Sequence, residues 1–385
     1  MGFCSTYQNT RVNDGDKMRF LLTCGGTGGH IYPAVAIAKA LKAQDPACEI
    51  LFVGAEYGME KDLIPREGFR LETITVTGLS RSNPLAAIRS LWQAGSGVLR
   101  ARRIIKAFDP DVAIGTGGYV SGPAILAASL AGIPTLIHEQ NAFPGLTTRL
   151  LARFASIVAV SHDAAVARLP KAKRIVVTGL PIRPAFFQTQ QVTARAKLGL
   201  PADATVILSV GGSGGAENIN RVVCQVAPHL LENAQIVLLH VTGERYYDSV
   251  VNWAQALGCP EAWPERWQVI RFMQDMPAAL AAADIVISRA GASTLEEIMA
   301  VGVPAIIVPS PNVTDNHQEH NAQAMAQQGA AIVILDNVLT ETTLFSGIKR
   351  LLENPDELRA MAEASRQASH PQATRDLAAL VNSLL

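Results

Sequence analysis

The chain has 385 residues, of which 49% are apolar and 17% charged, enough apolar side chain for two domains of ordinary size and too much for a disordered chain. Thirty-three basic residues balance 33 acidic ones, which argues against a dedicated nucleic-acid binder and makes local charge clusters the informative features. Five cysteines (Cys4, Cys24, Cys48, Cys224, Cys259) are scattered without a Cys-x-x-Cys pair, as expected of buried thiols in a reducing compartment. Residues 1–17 are polar and lack the apolar core of a signal peptide; they read as a disordered leader before Met18. Short, β-branched runs then predict strands over 19–24, 50–53, 69–76, 112–114, 135–138, 157–160 and 175–177, with helices over 34–44 and 122–131 between them. The longest apolar stretch, 123–137, is broken by Gly132 and Pro134 and is too short to span a bilayer.

A glycine and two prolines in Gly179-Leu-Pro-Ile-Arg-Pro184 mark a boundary, after which the pattern restarts. Strands are expected over 205–210, 236–241 and 267–270, a helix over 218–231, and helices from Thr340 to the end. Each half opens with a strand, a Gly-Gly-Thr/Ser-Gly-Gly turn and a helix, and each later carries Gly-Ile-Pro-Thr-Leu-Ile (132–137) or Gly-Val-Pro-Ala-Ile-Ile (302–307). The expected fold is α/β: two doubly wound, Rossmann-like domains, 18–180 and 188–385, facing across a cleft, with a hinge at 181–187. Ligands then belong at the carboxyl ends of both sheets.

The stretch 284–322 is the most informative. A buried strand ends at Arg289-Ala-Gly291, and Ser293 or Thr294 is expected to cap the next helix, with Glu296 or Glu297 in its first turn. A helix opening at the carboxyl end of a parallel strand presents free N–H groups to an anion. An acid one turn in can accept from sugar hydroxyls, although an ordinary capped βαβ unit would read the same way. Neither glycine turn, 25–29 or 211–215, has the third glycine of a dinucleotide fingerprint or the Lys-Ser/Thr of a P-loop. A dehydrogenase or an ATPase is therefore disfavoured. His30 follows the first turn at a helix start, where an imidazole can take a proton from a substrate hydroxyl or simply cap the helix. Glu139 and Asn141 end another strand on the same side, and Glu139 is the competing base. No Asp-x-Asp stands at a strand end in the second half, so no protein-held metal is expected. Residues 73–108 contain no acid but hold Arg81, Arg89, Arg100, Arg102, Arg103 and Lys106, with Leu85, Ile88, Leu91 and Trp92 at helical spacing. Such a segment fits an anionic membrane surface or a solvated helix face.

Gly25–His30 with Pro33, Gly117-Gly-Tyr-Val-Ser-Gly-Pro123, His138-Glu-Gln-Asn141, Gly211-Gly-Ser-Gly-Gly-Ala216, Arg289-Ala-Gly-Ala-Ser-Thr-x-x-Glu297 and Asp315-x-x-Gln318-x-x-Asn321-Ala322 occur in this order. Together they resemble the MurG family of peptidoglycan N-acetylglucosaminyltransferases over nearly all of residues 18–385. The resemblance implies a GT-B fold and inverting transfer of N-acetylglucosamine from UDP-N-acetylglucosamine to lipid I, an undecaprenyl-diphosphate-linked N-acetylmuramyl pentapeptide, at the cytoplasmic face of the membrane. It implies that the uracil meets Met273, the ribose Glu297, and the diphosphate Ser213 and Ala292-Ser293-Thr294. Gln318 then holds sugar hydroxyls, and Arg183 lies near the hinge. Across the cleft, Thr27, Gly28, Gly29 and Asn141 meet the transferred sugar, and His30 is the base. Arg89, Trp92, Arg100, Arg102 and Arg103 are the membrane contact. No cofactor is implied, which leaves room for a divalent cation held through the substrate phosphates, and no nucleic acid. The chain departs from the family at Gly214 (often Gln), at His317 (often Gln) and at Leu180 (often Asn). An epimerase or natural-product glycosyltransferase of the same fold, or a non-catalytic sugar-nucleotide binder, are the alternatives.

Overall fold

A computed structural model describes residues 17–76, 84–257 and 265–385, with the backbone alone for 84–94. The expected leader, apart from Lys17, lies outside the described residues, as do the side chains of Arg89 and Trp92. Among the described residues thirteen strands form two all-parallel sheets. The first contains β1 (Arg19–Thr23), β2 (Glu49–Ala55), β3 (Arg70–Ile74), β4 (Val112–Gly115), β5 (Thr135–Glu139), β6 (Ile157–Val160) and β7 (Ile175–Val177) in the order β3-β2-β1-β4-β5-β6-β7. The second contains β8 (Thr205–Val210), β9 (Ile236–Val241), β10 (Trp267–Ile270), β11 (Ile285–Ser288), β12 (Ala305–Ile307) and β13 (Ala331–Val333) in the order β10-β9-β8-β11-β12-β13.

Nearly every residue of β1, β4, β5, β8, β9 and β11 is buried. These strands read as continuous apolar runs because helices cover both faces of each sheet. One side of the first sheet packs on the helix Gly28–Gln44 and the other on the helix Ser121–Leu130. In both sheets the order reverses beside the first strand of the half, between β1 and β4 and between β8 and β11. A crevice forms outside the strand ends at such a switch point. The turns that leave these four strands carry Gly25–His30, Gly115–Gly118, Gly211–Ala216 and Arg289–Ala292.

The chain passes between the sheets twice. The first crossing follows β7, and the helix Ala185–Gln188 falls within the stretch expected to be hinge. The second crossing, near His370, leads to the helix Ala373–Asn382, which returns to the first sheet and buries Leu377, Ala378 and Val381 beside Ile31, Ala34 and Ile37. The crossings touch each other. Gly179 has φ +75°, and a Cβ there would sit 2.1 Å from the His370 Cβ, so only glycine lets the two segments lie this close.

The returning helix belongs to the core of the first half, so Leu377→Ala should cost about 2–5 kcal/mol of stability in denaturant unfolding. A loss below about 0.5 kcal/mol, the range of surface substitutions, would show that the helix does not contribute to that core.

Candidate active site

The first wall of the cleft is built on close backbone approaches. A Cβ at Gly118 (φ +85°) would lie 2.2 Å from the Gly25 carbonyl oxygen, so the two glycine turns are in direct contact. The sequence placed the helix after the first turn at Ala34. It starts at Gly28 instead and contains Pro33 at its sixth position, where the ring removes one ladder bond, and burial of Ile31, Pro33, Ala34 and Val35 overrides that loss and the poor propensity of the two glycines. His30 is thus the third residue of the helix. Its Nδ1 lies 3.2 Å from Thr27 Oγ1, and Thr116 Oγ1 donates to its carbonyl at 2.7 Å. Burial pushes the His30 imidazole below its ordinary pKa, opposed by the Glu139 charge and by a hydrogen bond to the Gly25 backbone. The ring is neutral at neutral pH and able to accept a proton.

Glu139 lines the cleft and is held within its own loop. Its Oε1 accepts from the backbone and side-chain N–H groups of Asn141 at 3.0 and 3.1 Å, and its Oε2 accepts from Gly145 N at 3.0 Å. With three donors on a 3%-exposed carboxylate, Glu139 shapes the loop that presents Asn141 to the cleft. Glu60, which the sequence reading passed over, is fully buried and accepts from Gly26 N at 3.2 Å and Ala55 N at 3.0 Å.

The second wall is the helix Ala292–Val301. Gly291 is its N-cap, not Ser293 or Thr294, and its first ladder bond runs from Leu295 N to Gly291 O at 3.0 Å. The reason is that β11 already ends at Ser288, so the helix opens before either hydroxyl residue. Ala292, Ser293 and Thr294 therefore stand in the first turn, where amide groups have no intrahelical acceptor. Glu296 and Glu297 fall in the second turn, not the first. Glu297 lines the cleft with its pKa raised by burial to about 7, against the pull of Arg183. Glu296 is 2% exposed, has Oε1 without a partner and is pushed up to about 8. Gln318 Oε1 accepts from Ala290 N at 3.2 Å and Ser310 N at 2.9 Å, so only its amide NH₂ remains for a sugar hydroxyl. Arg289 is pinned to Asp336 at 2.6 Å and to the carbonyls of Val308 and Pro309.

Thr27, Gly28, Gly29, His30, Glu139 and Asn141 line one continuous cleft of about 3110 Å³ together with Arg183, Ser213, Met273, Ala292, Ser293, Thr294, Glu297 and Gln318. A site for one small ligand is roughly 300–1,000 Å³, so this cleft is larger than one such site. The walls meet at Asn321. Its Oδ1 accepts from Ala142 N at 2.8 Å, and its Nδ2 donates to Asn141 Oδ1 at 3.1 Å and to Ala290 O at 3.2 Å. Phe143 stacks on His320 with centroids 4.7 Å apart, and Arg149 pairs with Asp315 at 3.1 Å. Asp315 and Asn316 have φ of +54° and +50°, a strained left-handed pair at the cleft edge. Among the described residues no three His, Cys, Asp or Glu side chains gather as a metal site.

The basic segment is one helix, Pro84–Phe108. Ala101 and Ile105 are buried against the first half, whereas Leu99 is 61% exposed and Arg102 and Arg103 face outward with it. Arg100 lies 3.5 Å from Glu56, so its charge is partly answered. Among the described residues no helix is long and apolar enough to cross a membrane.

Two parallel α/β sheets with one cleft between them make a GT-B-like fold, that of the solved MurG structure on which the chain superposes. Residues 20–160 match the glycosyltransferase family 28 N-terminal domain and residues 206–377 its C-terminal domain. UDP-N-acetylglucosamine–N-acetylmuramyl-(pentapeptide) pyrophosphoryl-undecaprenol N-acetylglucosamine transferases are similar over nearly the whole length. The protein from Caldanaerobacter subterraneus subsp. tengcongensis is 44% identical over 95% of this chain and 100% of its own, and that from Desulforamulus reducens 42% over 96% and 99%. The crystal structure of Acinetobacter baumannii MurG superposes with a TM-score of 0.75 at 30% identity, covering 96% of this chain and 100% of that one. The chain belongs to glycosyltransferase family 28, in the MurG group.

The buried Glu296 gives a pH test. Its raised pKa means the folded state keeps a proton that the unfolded chain releases, so its contribution is most favourable below about pH 4.5 and is lost as pH rises towards 8. Glu296→Gln should therefore raise the melting temperature more at pH 8 than at pH 5. An equal shift at both pH values would show that the carboxyl does not titrate in this window.

Proposed function

We propose that the chain moves N-acetylglucosamine from UDP-N-acetylglucosamine to the 4-hydroxyl of the N-acetylmuramyl unit of lipid I, giving lipid II. The observation that carries this reading is the pairing of walls: a neutral His30 faces, across one continuous cleft, a helix whose first-turn amides are open. The diphosphate of the donor rests on Ala292–Thr294 and the Gly211–Ala216 turn, where the N–H groups and helix dipole stabilise the charge of the departing UDP. Glu297 accepts from the ribose, Met273 borders the uracil, and the Gln318 amide donates to the sugar. His30 removes the proton of the acceptor hydroxyl as its oxygen bonds to the anomeric carbon and the bond to the diphosphate breaks. Attack from the face opposite UDP inverts that centre. Asn141, Thr27 and the glycine turn lie beside the sugar on the acceptor wall.

The test is glycosyl transfer from UDP-N-acetylglucosamine to a short-chain lipid I analogue. His30→Ala should lower kcat by roughly 10²–10⁴-fold, the usual contribution of a positioned base, with UDP affinity unchanged. Glu297→Ala should do the reverse, weakening UDP binding by about 1.5–3 kcal/mol for a lost charged hydrogen-bond partner. Retention of kcat by His30→Ala, or of UDP affinity by Glu297→Ala, would remove the corresponding role.

We further propose that the outward face of the helix Pro84–Phe108 rests on the anionic cytoplasmic surface of the membrane, where the lipid-linked acceptor is presented. Leu99, Arg102 and Arg103 recur at helical spacing on that face, and each basic residue near such a surface contributes about 1 kcal/mol, screened by salt. Arg102→Glu with Arg103→Glu should reduce sedimentation with anionic vesicles and leave UDP binding unchanged. Salt-independent, unaltered sedimentation would make the face a solvated one.

A further inference from the structure

Glu60 is a fully buried carboxylate, and among the described residues no ion pair answers its charge. Three glycines make room for it: a Cβ at Gly25, Gly54 or Gly58 would lie 2.7, 2.7 or 2.2 Å from its side-chain atoms. Burying a carboxylate is costly unless its lone pairs are used. Here Oε1 accepts from Ala55 N at the end of β2, and Oε2 accepts from Gly26 N in the turn after β1. The Gly26 N–H belongs to the peptide unit whose carbonyl is that of Gly25. The same Gly25 carbonyl faces the His30 ring and is among the influences that hold the imidazole's pKa up against burial. Carboxylate, peptide and imidazole thus form one chain of hydrogen bonds, each polarising the next.

We propose that Glu60 is a positioning residue for His30, acting through the Gly25–Gly26 peptide. The negative end of the chain polarises the Gly25 carbonyl towards the ring. A neutral imidazole has one donor and one acceptor nitrogen. Committing the donor nitrogen to Gly25 makes the other the acceptor of the substrate hydroxyl's proton, with Thr27 Oγ1 3.2 Å from Nδ1 as the ring's side-chain neighbour, and the imidazolium that forms then gains from the carboxylate behind the peptide. A carboxylate directly on the histidine would do the same work, but Glu139, the nearer acid, is already occupied by Asn141 and Gly145. The inference rests on the reading of His30 as the base.

The charges that face His30 are Glu139, His317 across the cleft, and Glu60; Tyr119 lies close enough to Glu60 to feel its charge. Removing only the Glu60 charge is therefore the clean experiment. Glu60→Gln preserves size but can accept through one atom only. Three readouts are compared in wild type, Glu60→Gln, His30→Ala and the double variant: NMR titration of the His30 ring where it is present, the pH dependence of kcat/KM, and UDP affinity. Glu60→Gln should move the His30 titration and the acidic limb of the profile to lower pH, because a negative charge that favours imidazolium is gone. Its kcat should fall roughly 10–100-fold, the range found where an outer carboxylate orients a metal-bound imidazole, with UDP affinity unchanged and little further loss in the His30→Ala background. An unmoved His30 titration in the folded Glu60→Gln protein, or losses that multiply in the double variant, would overturn the proposal. If the titration moves but His30→Ala keeps its kcat, the coupling stands and it is the base assignment that fails. Should Glu60→Gln not fold, Glu60→Asp keeps the charge but cannot span both amides. The same titration then reads the hydrogen-bond chain alone, and an unmoved ring with unchanged kcat again overturns it.

Discussion

The side chain of Asn321 is the contact on which the geometry of the cleft depends. It is fully buried, and its three hydrogen bonds go to both halves of the molecule: two to the Asn141–Ala142 loop and one to the carbonyl of Ala290, just before the helix Ala292–Val301. A buried amide leaves little freedom, because every unmet donor or acceptor carries its full desolvation cost. Two separately folded sheets are thereby brought into register at the point where a donor sugar would lie between them. The Phe143–His320 stack and the Arg149–Asp315 pair flank this contact, and the left-handed Asp315–Asn316 pair lets the chain turn into the helix His317–Gln327 that carries it.

Each half solves the same problem separately. A parallel strand can release its chain towards a ligand only through a turn tight enough for backbone to touch backbone, which is what the Gly25–Gly118 approach accomplishes in the first half. The price is a set of buried polar groups, and these are answered by carboxylates whose role is internal. Glu60 and Glu139 bond to loop amides, Arg289 is locked to Asp336, and the cleft lining keeps the His30 imidazole, the first-turn residues Ala292–Thr294 and Glu297.

Much of this was legible in the sequence because parallel strands covered on both faces must be continuous apolar runs. Strands β1, β4, β8 and β11 stood out for that reason, and so did the turns that follow them. Strand β13 did not, since Ala331-Ile-Val333 is only three residues long, although Ile332 and Val333 are β-branched. Helix starts were misplaced wherever tertiary packing overrode propensity, as at Gly28, or where the cap was a glycine with no side-chain signal, as at Gly291. The residues that line the cleft were found by motif and position. Those that act behind them were not. Glu60 is one acid among several in a surface-like stretch with Glu56, Asp62 and Glu67, and nothing in its neighbours announces that it will reach Gly26, 34 positions away in sequence. Likewise the spacing of Glu139 and Asn141 could not reveal that the carboxylate bonds to Asn141 and Gly145 within its own loop.

The central claim is that donor and base occupy opposite walls of one cleft. A crystal structure with UDP-N-acetylglucosamine bound tests it most directly. The account predicts the diphosphate on the first-turn amides of the helix Ala292–Val301, the ribose on Glu297, and the anomeric carbon turned towards His30 across the cleft. A nucleotide seated on the Gly25–Gly29 turn, with the helix Ala292–Val301 unoccupied, would contradict it.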